Sequence, residues 1–217
     1  HYCMNLAQRG FVVVNFTYRL SPEHKFPCHL EDTVHVFHWV LKHAEEYQMD
    51  ADNIFAVGDS AGGHILSLFC ILCTNPNYAK NYTFQPPKGF VPKAIGLNCG
   101  VYDIEMAING SSSNTSALMK DILPQKGTKE EIRLFSPIHY INRNFPPCFI
   151  TTANEDFLKD QPKPLKKKLD NLGVTYQYKM YGDNENKLMH VFHLDIRNEI
   201  GKLCNDEQCA WFQSFIK

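Results

Sequence analysis

Short apolar runs alternate along this chain with longer stretches in which apolar residues recur every three or four positions, and that alternation predicts strands interleaved with helices. Residues 11–18, Phe-Val-Val-Val-Asn-Phe-Thr-Tyr, form a β-branched run bounded by Gly10 and by Ser21-Pro22, which predicts a buried strand of a parallel sheet. Over residues 30–47, Leu30, Val34, Phe37 and Leu41 fall at helical spacing, with Glu31 and Asp32 placed where a helix N-terminus favours acids. A short apolar run at 53–58 leads straight into Asp59-Ser60-Ala61-Gly62-Gly63 and an apolar helix over about 61–73. Further strands are expected at 93–99, 148–153 and 175–181, and further helices over about 161–172 and 198–216. The run Lys166-Lys167-Lys168 reads as a solvated helix face.

Strands alternating with helices give an α/β class, with a mostly parallel sheet flanked by helices. Two regions break the rhythm. Residues 75–92 are rich in Pro, Asn, Tyr and Lys and are expected to make a long surface excursion. Residues 102–135 carry Asn109-Gly110-Ser111-Ser112-Ser113-Asn114 between amphipathic pieces, which reads as an insertion of the lid or cap type. No internal repeat is visible, and residues 1–217 read as a single domain.

Composition narrows the partners more than the fold. Lys and Arg number 22 against 23 Asp and Glu, a net charge of -1, so no basic excess exists to neutralise a phosphate backbone. Nucleic acid and anionic membrane surfaces are disfavoured on that ground. No continuous apolar run approaches the roughly 18 residues of a membrane span. The opening HYCMNLAQRG has neither a basic leader nor an apolar core, so a cytoplasmic location is expected. The eight cysteines sit mostly in apolar segments and are expected to be free thiols that pack as small hydrophobes. Cys70-x-x-Cys73 falls in an apolar helical run without a second pair, so it too reads as packing. The sequons at Asn15, Asn81, Asn109 and Asn114 read as chance.

The strongest chemical signal is Gly58-Asp59-Ser60-Ala61-Gly62-Gly63. It fits G-x-S-x-G with a strand before it and a helix after it, the setting in which a sharp turn thrusts a serine hydroxyl clear of the sheet edge. A free hydroxyl is a poor nucleophile, so this reading demands a general base and an orienting acid elsewhere. The bland alternative is a glycine-rich turn that merely starts a helix. Phosphate binding is disfavoured, because neither G-x-x-x-x-G-K nor G-x-G-x-x-G is present.

Together with Tyr18-Arg19-Leu20-Ser21-Pro22-Glu23-His24-Lys25-Phe26-Pro27 and the Glu31-Asp32 pair, this motif resembles the hormone-sensitive-lipase-like carboxylesterases of the α/β-hydrolase superfamily. The resemblance implies a nucleophile, acid, histidine order along the chain. It assigns Ser60 as nucleophile and Asp156 as the acid, the latter in Asn154-Glu155-Asp156-Phe157-Leu158-Lys159-Asp160, with Glu155 and Asp160 as competitors. Within Met189-His190-Val191-Phe192-His193 it assigns His190 as the base and leaves His193 a bystander. His35, His38 and His43 share one helix with no carboxylate partner pattern, and His64 sits just past the nucleophile, so these read as structural. No metal and no cofactor is implied.

The reaction implied is hydrolysis of a small-molecule carboxylic ester through an acyl-enzyme, with the Ala61 backbone N–H as one oxyanion donor. The alternatives are a non-catalytic ligand-binding protein on the same fold, against which retention of His190 argues, and a serine peptidase. The family's His-Gly-Gly-Gly oxyanion loop is absent from these 217 residues, and so are the fold's first strands, so His1 is expected to be a cut edge. Oligomeric state is left open.

Overall fold

A computed structural model describes residues 1–110 and 114–216. Four strands, β1 (Phe55–Asp59), β2 (Ala94–Asn98), β3 (Cys148–Ala153) and β4 (Tyr176–Tyr181), pair in the order β1-β2-β3-β4 and are parallel throughout. Every residue of β2 and β3 is buried. That follows from their sequences: a parallel strand covered on both faces must read as an unbroken run of apolar or small residues. The α/β class and the parallel sheet flanked by helices are therefore borne out.

Nine α-helices are described: α1 (Tyr2–Ala7), α2 (Cys28–Lys42), α3 (Ala61–Thr74), α4 (Pro76–Ala79), α5 (Ile104–Gly110), α6 (Asn114–Ile122), α7 (Lys129–Phe135), α8 (Pro162–Leu172) and α9 (Glu199–Gln213). The central one is α3, apolar all round, whose Leu68, Phe69, Cys70 and Ile71 are fully buried. It packs on β1 and β2 on one side and on α2 on the other, where the rings of Phe37 and Phe69 stack at 4.2 Å. Amphipathic α8 buries Leu165 and Leu169, turns Lys166 over the Tyr178 ring at 3.9 Å, and ends at Gly173 with φ 68°, a left-handed cap that glycine adopts without strain. None of the described helices is long and apolar enough to cross a membrane.

The expected strand at 11–18 is corrected. No ladder forms there, and Val12, Val14 and Phe16 are 61%, 37% and 37% exposed. Its β-branched composition suits a strand, but a strand also needs a neighbour to take its N–H and C=O groups. Here the segment and β1 line a common cavity of about 650 Å³, with Phe11, Val13 and Val14 on one side and Phe55 and Val57 of β1 on the other, in place of a ladder between them. β1 is consequently an edge strand and only half-buried. Residues 11–20 are held instead by Arg19, whose guanidinium meets Glu31 and Asp32 of α2 at 2.7 Å each while its backbone N–H donates to Asp32 Oδ2 at 2.8 Å. α2 itself stops at Lys42, and its last turn passes into a loop at residue 43.

Residues 75–92 are more than a surface excursion. They contain α4 and bury Tyr78 and Tyr82, whose hydroxyls bond to each other at 2.7 Å. Within 102–135 the chain forms α5, α6 and α7, and Met119, Leu123 and Phe135 join the main core. Ser111, Ser112 and Ser113 of the expected loop lie outside the described residues.

Candidate active site

The turn from β1 into α3 carries Ser60 at φ 52° and ψ -117°, a conformation that L-residues rarely adopt. The turn closes because Gly58 has no side chain: a Cβ there would meet the backbone of Gly62 and Gly63, the latter at 2.7 Å from its nitrogen. Ser60 N donates to Asn98 O at 2.9 Å, tying the turn to the end of β2. Ala61 opens α3, so its N–H belongs to the first turn, whose amides have no partner within the helix.

Three loops at the carboxyl ends of β1, β3 and β4 bring the remaining groups together. The imidazole of His190 reaches Ser60 Oγ through Nε2 at 2.8 Å and Asp156 Oδ1 through Nδ1 at 2.7 Å. Asp156 is 1% exposed and also accepts from Leu158 N at 2.8 Å and from Thr152 Oγ1 at 3.1 Å. Burial pushes its carboxyl upward, but the bonds from His190, the Leu158 amide and the Cys99 thiol outweigh that and hold it below the usual carboxylate range. Burial also raises Asp59, next to the serine, against a weaker pull from His190. The arrangement can pass a proton from the Ser60 hydroxyl to an imidazole whose far nitrogen is fixed by a buried carboxylate.

The competitors go elsewhere. Glu155 is exposed, and Asp160 pairs with Lys163 at 2.7 Å. His193 is fully buried with Nε2 3.4 Å from Asn98 Nδ2, and His64 bonds Phe135 O at 2.7 Å; burial lowers the pKa of each to about 4. On α2, His38 bonds Gln85 O at 3.1 Å. The expectation that His35, His38 and His43 lack carboxylate partners fails at His43, which lies just past the end of α2 and meets Glu46 at 2.6 Å. All eight cysteines are free thiols.

Two residues beside Ser60, His190 and Asp156 were missed by the sequence reading. Cys99, read there as a small hydrophobe, is buried at φ 51° with its sulfur, an Asp156 oxygen and a His190 nitrogen all within 4.8 Å of one another. Burial and the Asp156 charge drive its thiol pKa upward, so it sits there as a neutral donor. Asn98, at the end of β2, accepts from Thr151 Oγ1 at 2.9 Å and from Gln208 Nε2 at 2.8 Å and so braces the floor of the site. A polar residue ending an otherwise apolar strand was the available signal.

A family profile described as alpha/beta hydrolase fold matches residues 1–194. Among curated relatives, a probable carboxylic ester hydrolase, LipM, of Mycobacterium tuberculosis is 29% identical over 157 residues, 71% of this chain and 36% of that protein. An acetyl esterase of Salmonella enteritidis is 28% identical over 191 residues, 83% of this chain and 56% of that protein. The chain thus spans between about a third and somewhat over half of the length of these relatives. Among solved structures, esterase B of Lactobacillus rhamnosis superposes with a TM-score of 0.87 at 22% identity, covering 99% of this chain and 69% of that one. A Pyrobaculum calidifontis esterase gives 0.81 at 23% identity, covering 98% and 70%. These superpositions establish the fold, and with the match over residues 1–194 the chain belongs to the hormone-sensitive-lipase-like family of the α/β-hydrolase fold.

Proposed function

We propose that this chain is a serine hydrolase that cleaves carboxylic esters, with Ser60 as nucleophile, His190 as general base and then acid, Asp156 as the orienting carboxylate and the Ala61 N–H as one oxyanion donor. The observation that carries the reading is the unbroken hydrogen-bond line from Ser60 Oγ to His190 Nε2 at 2.8 Å and from His190 Nδ1 to Asp156 Oδ1 at 2.7 Å. Esterase names among the relatives support the same class of reaction.

In this mechanism Ser60 Oγ attacks the ester carbonyl carbon as its proton moves to His190 Nε2. The carbonyl π pair becomes an oxyanion facing Ala61 N, a position where loss of one donor costs about 3–4 kcal/mol of barrier. Asp156 keeps the imidazole in the tautomer that exposes a basic Nε2 and stabilises the cation that forms. Collapse breaks the bond to the alcohol oxygen, which takes the proton from Nε2. Water, deprotonated by the same nitrogen, then adds to the acyl carbon, and collapse breaks the bond to Ser60 Oγ, which takes the proton back from Nε2 as the acid leaves.

Incubation with an organophosphate, followed by intact mass and peptide mapping, tests this. The expected result is one covalent adduct on Ser60, lost in Ser60→Ala, together with ester hydrolysis that Ser60→Ala abolishes. Equal hydrolysis by both proteins, or an adduct elsewhere, would overturn the reading.

A further inference from the structure

Phe157 lies against the imidazole of His190. Its neighbours Asp156 and Leu158 are buried, yet Phe157 is 73% exposed. Its position is not left to drift. The turn is pinned on both sides of it, by Leu158 N donating to Asp156 Oδ1 at 2.8 Å and by Lys159 N donating to Asp156 O at 3.1 Å. The ring centre lies 4.4 Å from that of His190, with the planes at 45°. Met189, immediately before His190, is likewise 66% exposed. What sets Phe157 apart from the other exposed apolar side chains is the contact with His190: its ring offers an apolar face beside the imidazole, where an apolar group of a bound substrate can pack on it.

The chemistry of the proposed reaction says which group. His190 Nε2 must deliver its proton to the alcohol oxygen as the ester bond breaks, so the alcohol half of the substrate passes beside the imidazole. The acyl half is anchored elsewhere, by its bond to Ser60 Oγ and by the Ala61 N–H. An aromatic ring against the imidazole therefore faces the alcohol half.

We propose that Phe157 is the wall of the leaving-group subsite, and that the preferred substrates are esters whose alcohol carries an aromatic or bulky apolar group close to the ester oxygen. This rests on the esterase reading above. Ring-to-ring contact in such a subsite is worth enough to change kcat/KM by about three- to tenfold for an aromatic alcohol.

The test compares this chain with Phe157→Ala and Phe157→Tyr on benzyl acetate and ethyl acetate, which share the acyl group and differ in the alcohol. Ethyl phenylacetate is added to vary the acyl side alone. The expected result is a three- to tenfold fall in the benzyl-to-ethyl ratio of kcat/KM in Phe157→Ala, restoration of the ratio in Phe157→Tyr, and no change in the ratio between the two ethyl esters. Urea midpoints within error of each other would show that the exposed side chain is not needed for folding. An unchanged benzyl-to-ethyl ratio overturns the proposal. So does an equal fall on all three esters, which would mean that Phe157 only orients His190, and so does a change confined to the acyl pair. Failure of the esterase reading is seen separately, as absence of any Ser60-dependent hydrolysis in the unmutated chain.

Discussion

A methyl group added at Gly58 would lie 2.5 Å from the carbonyl carbon of Gly62 and 2.7 Å from the amide nitrogen of Gly63, and it would also strike Gly62 O. Ordinary contact begins at 3.4 Å, and all three atoms are backbone, so no side chain can swing aside. The first turn of α3 has to retreat from β1 by about 1 Å in a close-packed interior, at a cost of about 1–3 kcal/mol in stability. Ser60 lies between the two clashing segments, and its Oγ has only 2.8 Å to His190 Nε2. A shift of about 1 Å stretches that bond beyond useful length, and misplacement on that scale costs about a hundredfold in rate. Gly58→Ala is therefore expected to lose far more activity than its loss of stability explains. Hydrolysis of ethyl acetate and rates of organophosphate labelling, measured at a temperature where urea titration shows the variant folded, report both quantities. Gly62→Ala is the comparator: nothing lies within 4 Å of a Cβ there, and alanine in a helix is better than glycine by about 0.5–1 kcal/mol, so it should stabilise slightly. Gly58→Ala labelling at the unmutated rate, or Gly62→Ala destabilising as much as Gly58→Ala, would refute the steric account.

Asp156→Asn should keep the fold but lower kcat by about 10³-fold or more, since an amide holds the imidazole in the wrong tautomer; a loss under tenfold would remove Asp156 from its role. Asn98→Ala strands Thr151 Oγ1 and Gln208 Nε2 in the interior and should cost about 3 kcal/mol by urea denaturation, with a cost under about 1 kcal/mol arguing that these bonds contribute little. His29, His64 and His193 are buried neutral, with pKa values lowered from 6.5 to about 4 by desolvation. A folded-state pKa below the unfolded one means stability that is complete above pH 6.5 and lost as pH falls toward 4, by about 3 kcal/mol for each histidine over the full span. The urea midpoint should fall steadily from pH 7 to 4.5, and a flat profile would contradict the assignment.

Legibility in the sequence followed burial. β2 and β3 were readable because every position is covered, and α3 because all but Ala61, Gly62 and Cys73 are, which leaves a nearly continuous apolar run as the only workable composition. The serine turn was readable because its steric demand falls on residues adjacent in sequence. The segment at 11–18 was not, because a hydrophobic pattern states what a segment would bury beside a partner and says nothing about whether the backbone ladder to that partner forms. Cys99 escaped for a related reason: a thiol packed on Ile or Leu and a thiol packed on a carboxylate look alike until the chain folds, and Asp156 lies on a different loop. His190 and Asp156 themselves were placed by family resemblance, since neither sits in a local pattern that spacing alone would single out.

Three of the five described non-glycine residues with positive φ, Ser60, Cys99 and Val191, lie at this site, and such backbone costs about 1–2 kcal/mol at each. It persists only where the surroundings over-determine it. The sheet supplies that constraint in steps: Ser60 N bonds Asn98 O at 2.9 Å, carrying β1 onto β2, and Cys99 N bonds Thr151 O at 2.8 Å, carrying β2 onto β3. Asp156 follows a few residues beyond Thr151. The distance between Ser60 and Asp156 is thereby set by the pairing of Asp59 with Asn98 and of Asn98 with Thr151, so a slip of register by one residue would separate them by a full step along the strand. The placing of Ser60 against Asp156 rests on strand register more than on any one loop, and the Asn98 side chain adds to it by accepting from Thr151 Oγ1 across β2 and β3 at 2.9 Å.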